Sequence, residues 1–179
     1  MCIKNLYKEQ SKDNIPKFLQ HKIELSEQLT GDSFFLNIFS SNSEVARVYY
    51  EEFYNKIFYK GKVNIRLKEL IRLRLAGISG CKYCISIDEN SAINNGLSEK
   101  DIINAKNNNL DQFTELESTI LQLTNHIALS NVHERVNKNI IKSILDSLGQ
   151  EQLIEILFVV ALLSGMGQML GSSDLVDTD

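Results

Sequence analysis

The stretch that decides the fold is ELIRLRLAGISGCKYC, residues 69–84. Its first half carries apolar side chains three and four residues apart, as on the buried face of a helix. Gly77 and Gly80 can end that helix before another begins. Cys81 and Cys84 then fall in a first helical turn, where unpaired N–H groups and the helix dipole favour a thiolate. Two thiols three residues apart on one helix face can form and reopen a disulfide, so the pair is a dithiol redox candidate.

Helix start and stop signals recur along the whole chain. Starts are predicted at Asn14–Pro16, Ser43, Asn64, Ser98 and Thr114, and stops at Gly31, Gly61, Gly96 and Gly149. The predicted helices cover about residues 16–30, 44–58, 65–78, 85–95, 99–106, 115–128, 134–148 and 152–170, with a short apolar segment at 34–39. No alternating run supports a strand. The sequence therefore predicts an all-α bundle of about seven or eight helices, in a single domain over residues 1–179.

Composition excludes several classes of protein. The 19 basic and 23 acidic residues give a net charge of −4, without a basic stripe, which argues against nucleic-acid binding. Three cysteines are too few for a disulfide scaffold, and the first residues carry no signal-peptide pattern, so a cytoplasmic location is predicted. The apolar run Ile156–Leu163 is short and followed by glycines, which favours a core or interface helix over a membrane span.

Two carboxylates stand at positions where they can serve the cysteines. Cys81, Cys84 and Asp88 are three and then four residues apart and share a helix face. Glu69 precedes Cys81 by twelve residues, and a sharp turn at residues 77–80 would bring it beside the pair. Two neighbouring carboxylates raise one pKa, which would suit a proton relay. If both carboxylates were ionised, their negative charges would instead raise the pKa of the cysteine thiol. The sequence does not decide between these two effects.

Structural explanations compete with each of these functional ones. A lone CxxC is also compatible with inert packing or with half of a zinc site. Zinc needs about four ligands, and the sequence has no second CxxC and only a poorly spaced pair in His126 and His133. No metal or cofactor is therefore predicted. The aromatic residues of the stretch 49–59 fit a core or interface, or the wall of an apolar cavity near the thiols.

The stretch 69–84 resembles the signature of the carboxymuconolactone decarboxylase superfamily in its alkylhydroperoxidase D-like (AhpD-like) branch. That branch shows a Glu, eleven residues, Cys-x-x-Cys, three residues and a His. Glu69, Cys81 and Cys84 fall on this pattern, whereas Asp88 stands where the His is expected. The resemblance covers about residues 44–170 and implies an AhpD-like helical bundle. Residues 1–43 are predicted to be a less typical N-terminal helical extension.

The resemblance implies a thiol-dependent, alkylhydroperoxidase-type oxidoreductase that reduces peroxides. Cys84 would attack the peroxide, Cys81 would close the disulfide, and Glu69 would relay protons, with Asp88 as a substitute for the family His. Tyr83 would hydrogen-bond a reacting oxygen. A carboxylate cannot become a cation as imidazole does, so stabilisation of the thiolate should weaken.

The resemblance also implies partners. A dithiol, a lipoyl-protein or a thioredoxin-like protein would reduce the disulfide, and the protein would form a homo-oligomer, a trimer or hexamer. Cys2 is expected to take no part. Two alternatives stay open at this point: a lactone enzyme of the carboxymuconolactone decarboxylase type, whose members generally lack the cysteine pair, and a non-enzymatic redox-sensing oligomeric module.

Overall fold

The computed structural model describes residues 3–130 and 133–176, and these contain no β-strand. The α-helices are α1 (Lys17–Thr30), α2 (Phe34–Phe39), α3 (Ser43–Arg47), α4 (Ile65–Ser79), α5 (Lys82–Asn94), α6 (Glu99–Lys106), α7 (Glu115–Leu129) and α8 (Lys138–Ser172). A π-helical segment, Val48–Phe58, continues α3, and short 3₁₀ turns lie at Ile3–Leu6, Lys12–Asn14 and Leu110–Gln112. The predicted all-α fold of about seven or eight helices is confirmed. The single-domain assignment stays a prediction, and Cys2 lies outside the described residues.

Most predicted helix starts are capped as the sequence suggests. The Asn64 side chain accepts the Arg66 N–H at 2.9 Å, and Ser98 and Thr114 each form a capping box. The apolar segment at 34–39, which was not predicted to be helical, forms α2. The helix predicted over 134–148 begins only at Lys138, because Asn137 provides the cap by accepting the Asn139 N–H at 2.9 Å.

The aromatic segment is not the regular helix predicted over residues 44–58. It is α-helical only as far as Arg47 and then widens into the π-helix. The Tyr59 N–H donates to the carbonyl of Tyr54, five residues back, at 2.9 Å. A wider turn places side chains four and five residues apart on the same face. Tyr50, Tyr54 and Tyr59 therefore line up along one side of the segment.

Helix α8 is long and apolar enough to cross a membrane by length and composition alone. It is interrupted at Gly149, whose φ of 79° and ψ of 171° are not helical, at the position where the sequence predicted a stop. Beyond this break Ile156, Val159 and Val160 are fully buried in the main core. Only 33% of the most apolar 18-residue window of α8 is buried, and the absence of a membrane span stays a prediction.

Helix α4 is the central element that positions the site. Nine of its 15 residues are buried, and it packs against α5, α6, α7 and α8. Ile71 and Leu75 belong to the main core, whereas Leu70 and Leu73 belong to a second cluster beneath α5 and α6. Because both faces of α4 are covered, polar side chains on this helix are held in fixed positions inside the protein.

Candidate active site

A sharp turn at Gly80 folds α5 back against α4. Gly80 has a φ of 65°, and its N–H closes α4 by donating to the carbonyl of Ala76 at 3.0 Å. In such an antiparallel pair, residues equally distant from the turn face each other. Arg72 and Asp88 each lie eight residues from Gly80. This register explains why these two charged side chains meet.

The two cysteines of the pair have different surroundings. Their sulfurs are joined as a disulfide, with the Cα atoms 5.3 Å apart. Cys81 is the N-cap of α5, and its Sγ accepts the Cys84 N–H at 3.1 Å. Cys81 is only 3% exposed, whereas Cys84 is half-buried and lines a cavity of about 640 Å³. Cys84 is therefore the sulfur that a ligand in the cavity can reach.

Glu69 is fully buried, and its carboxylate accepts three hydrogen bonds. Its Oε1 accepts from Ser91 Oγ at 3.1 Å and from Asn95 Nδ2 at 2.8 Å, while Arg72 Nη2 donates to Oε2 at 2.5 Å. Sequence reasoning expected Glu69 beside the cysteine pair. The hairpin register instead places it opposite Ser91, about two helical turns along α5 from Cys84.

Asp88 is the carboxylate that shares the cavity with Cys84. Arg72 Nε lies 3.3 Å from Asp88 Oδ1, close enough for an ion pair, yet Nε makes no hydrogen bond with any described residue. Burial raises the pKa of Asp88 to about 7; Arg72 opposes this rise, and Glu69 adds to it. A carboxyl group that exchanges its proton near neutral pH therefore stands one helical turn from Cys84.

Sequence reasoning missed Arg72, which links the two carboxylates. Its side chain is 5% exposed, and Cζ lies 4.9 Å from the centre of the Phe58 ring. Two signals point to it: an arginine three residues after Glu69 within a largely apolar run, and a position that mirrors Asp88 across Gly80. Glu69, Arg72 and Asp88 form a buried chain beside the cavity, whose wall includes Arg72, Asp88 and Asn95.

Tyr83 lines the same cavity, but its hydroxyl points toward α1. Its Oη is hydrogen-bonded to Ser26 Oγ at 3.0 Å, and its ring packs edge-on against Phe35. Burial raises the pKa of Tyr83 to about 12, so the phenol stays neutral. Because Ser26 is the donor in this hydrogen bond, the proton of Tyr83 is not used by it, and the hydrogen bond from Tyr83 to a reacting oxygen stays a prediction.

The π-helix and the helices α1, α2, α4, α5, α7 and α8 all contribute to the walls of the cavity. The π-helix and the residue that follows it contribute four tyrosines, α5 contributes Cys84 and Asp88, and α1 contributes Lys22. Much of the remaining wall is apolar and includes Leu75 and Leu163. Among the described residues, no group of three or more His, Cys, Asp or Glu side chains is placed to hold a metal ion.

The raised pKa of Asp88 makes the free energy of unfolding depend on pH. We expect the oxidised protein to lose stability as pH rises from about 4 to about 7 and to level off above that range. The unfolded carboxyl releases its proton near pH 4, whereas the folded one holds it to about 7. The folded state therefore binds more protons within this window, and raising the pH favours unfolding.

Asp88→Asn should remove that loss. Urea unfolding of the oxidised wild type, Asp88→Asn and the exposed control Asp146→Asn, at about pH 4.5, 6 and 8, measures the effect. Parallel curves of stability against pH for wild type and Asp88→Asn would show that Asp88 has an ordinary pKa.

Residues 46–110 match the model of the carboxymuconolactone decarboxylase family. The match is shorter than the resemblance over 44–170, but it contains Glu69, Cys81, Cys84 and Asp88. No curated protein and no solved structure shows a significant match to the chain. This segment is a little over one third of the chain, and through it the chain is similar to the carboxymuconolactone decarboxylase family.

Proposed function

We propose that the protein is an AhpD-like, thiol-dependent peroxidase that works through Cys84 and Cys81. The observation that carries the proposal is the position of Cys84 in the cavity wall, with its disulfide partner buried behind it. Asp88, with a pKa raised to about 7, supplies an exchangeable proton one turn away. Nucleophile, resolving thiol and acid thus stand together at one ligand-sized cavity.

In the first step the Cys84 thiolate attacks the terminal oxygen of a hydroperoxide. The S–O bond forms as the O–O bond breaks, which oxidises the sulfur to a sulfenic acid and releases an alkoxide. Protonated Asp88 gives its proton to the alkoxide, which leaves as an alcohol. Arg72 Nε, a buried donor without a hydrogen-bond partner among the described residues, is available to a peroxide oxygen.

In the second step the Cys81 thiol attacks the Cys84 sulfenic acid. The S–S bond forms, and the hydroxyl group leaves as water with the proton of Cys81. The proposed product of this step is the Cys81–Cys84 disulfide, which agrees with the pairing of these two sulfurs in the structure. An external dithiol, free or carried as a lipoyl group or by a thioredoxin-like protein, then returns two electrons and two protons and is itself oxidised to a disulfide.

Arg72 offsets the loss of the family His in this proposal. The sequence predicted weaker stabilisation of the thiolate, because an ionised Asp opposes a neighbouring negative sulfur. The buried guanidinium supplies a permanent positive charge beside Asp88, and Glu69 holds it in place through the 2.5 Å hydrogen bond. Arg72 on α4 thus provides the positive charge that a protonated His would provide at the position of Asp88 on α5.

Steady-state consumption of peroxide tests the proposal. With dithiothreitol or dihydrolipoamide as reductant, we expect repeated turnover. With a monothiol such as glutathione we expect slower turnover, because a dithiol completes the exchange intramolecularly. Absence of turnover with every dithiol, together with a reversible change of oligomer size on oxidation, would identify a redox-sensing module instead.

The proposal includes a homo-oligomer. Val45, Val48 and Phe158 are 49%, 61% and 46% exposed and line a second, apolar groove between the π-helix and α8. Clustered exposed apolar side chains are typical of interfaces. We therefore expect a trimer or hexamer in light scattering at micromolar protein, with dissociation in Val48→Glu. A monomer under these conditions would contradict this part of the proposal.

A further inference from the structure

Lys22 of α1 is a cation that the proposed chemistry does not use. Its side chain lines the cavity of Cys84 and is half-buried. It forms no ion pair or hydrogen bond with another described residue, and Nζ lies 4.8 Å from the centre of the Tyr50 ring. Burial lowers the pKa of Lys22. An ammonium group in a partly apolar wall, with no carboxylate partner within residues 3–130 and 133–176, is a ready site for an anion.

The tyrosine stack connects Lys22 with the reactive end of the cavity. Tyr50 and Tyr54 are stacked with ring centres 6.0 Å apart, and Arg72 Cζ lies 5.9 Å from the Tyr54 ring. Lys22 and Arg72 therefore stand at opposite ends of a two-ring stack. Arg72 is already paired with two carboxylates, whereas Lys22 is paired with none among the described residues. Of these two cations, Lys22 is the one available to an anionic ligand.

We infer that the cavity binds an amphiphilic carboxylate, with its head group on Lys22 and its apolar chain extending along the tyrosines toward Cys84. The apolar wall supplied by Leu25, Leu75, Leu163 and Leu170 fits a hydrocarbon chain, and about 640 Å³ accommodates one of medium length. If the proposed peroxidase function holds, on which this step rests, the substrate is the hydroperoxide of a medium-chain carboxylic acid.

Binding without turnover tests the site itself. Calorimetric titration of the oxidised protein with decanoate and with decan-1-ol compares two chains that differ only in the head group. We expect decanoate to bind about tenfold more tightly, the usual contribution of a charge-assisted hydrogen bond. Lys22→Met should reduce the affinity for decanoate to about that for decan-1-ol. Lys17→Met, on an exposed position of the same helix, should behave as wild type.

Steady-state kinetics with peroxide substrates distinguishes the carboxylate site from the peroxidase activity on which the substrate assignment rests. We expect a KM about tenfold lower for 10-hydroperoxydecanoic acid than for its methyl ester in the wild type, and equal values in Lys22→Met. Equal binding of the two decyl ligands in the wild type, or a preference that survives in Lys22→Met, would overturn the inference whether or not peroxide is reduced. A Lys22-dependent preference without any peroxide turnover would uphold the carboxylate site and reject the peroxidase.

Discussion

Cys84→Ser is expected to lower the rate of peroxide reduction at least about 1,000-fold, since the nucleophile is lost. Cys81→Ser should retain the first step and stop at the sulfenic acid of Cys84, because the resolving thiol is gone. Stopped-flow mixing of each reduced variant with cumene hydroperoxide, followed by intact mass measurement, distinguishes these results. One added oxygen in Cys81→Ser, and none in Cys84→Ser, is the expected pattern.

Two physical effects compete in assigning these roles. The N-cap position of Cys81, where Sγ accepts the Cys84 N–H at 3.1 Å, favours a thiolate on Cys81. Access favours Cys84, because Cys81 is only 3% exposed and packs among apolar side chains. The attacking sulfur must contact the peroxide oxygen. We therefore expect the greater accessibility of Cys84 to make it the nucleophile. An oxygen adduct that forms on Cys81 in Cys84→Ser, with an inert Cys84 in Cys81→Ser, would reverse the roles.

Asp88→Asn is expected to slow the first step about 100-fold at pH 6, since an acid that protonates the leaving alkoxide contributes roughly 10²–10⁴-fold. The substitution also removes a negative charge near Cys84, which lowers the pKa of the thiol and so raises the fraction present as thiolate. The two effects have opposite signs. We expect the loss of the acid to outweigh the gain in thiolate, so the rate falls.

The pH profile tests the same assignment independently. In the wild type the rate should decline above pH 7, because the pKa of Asp88 is about 7 and only the protonated carboxyl can act as the acid. In Asp88→Asn that decline should disappear. The rate should then only increase with pH, as the fraction of Cys84 present as thiolate increases. The exposed control Asp146→Asn should keep the wild-type profile. A faster reaction in Asp88→Asn at every pH would show that Asp88 only opposes the thiolate.

The sequence predicted the helices well because their ends are encoded locally. Caps such as Asn64 and Thr114, and the left-handed residue Gly80, act within a few residues of themselves. The register of the α4–α5 hairpin is also implicit in the sequence, since it follows from the position of Gly80. Counting outward from that turn would have placed Arg72 opposite Asp88 and moved Glu69 away from the cysteines.

Other features depend on contacts between distant segments. The π-helical geometry of residues 48–58 arises where several aromatic rings pack together. The residues that mark helix starts and stops do not predict it. The cavity brings α1, the π-helix, α5 and α8 together, so neither Lys22 nor the buried state of Asp88 follows from local spacing. The raised pKa of Asp88 depends on that burial, and the positive charge of Arg72 limits the rise.

A single turnover of the reduced wild-type protein with limiting cumene hydroperoxide tests the central claim most directly. We expect one molecule of alcohol for each peroxide consumed and the loss of two hydrogens from the protein, mapped to the peptide that carries Cys81 and Cys84. Recovery of intact peroxide, or alcohol formation without a disulfide between these two cysteines, would contradict it.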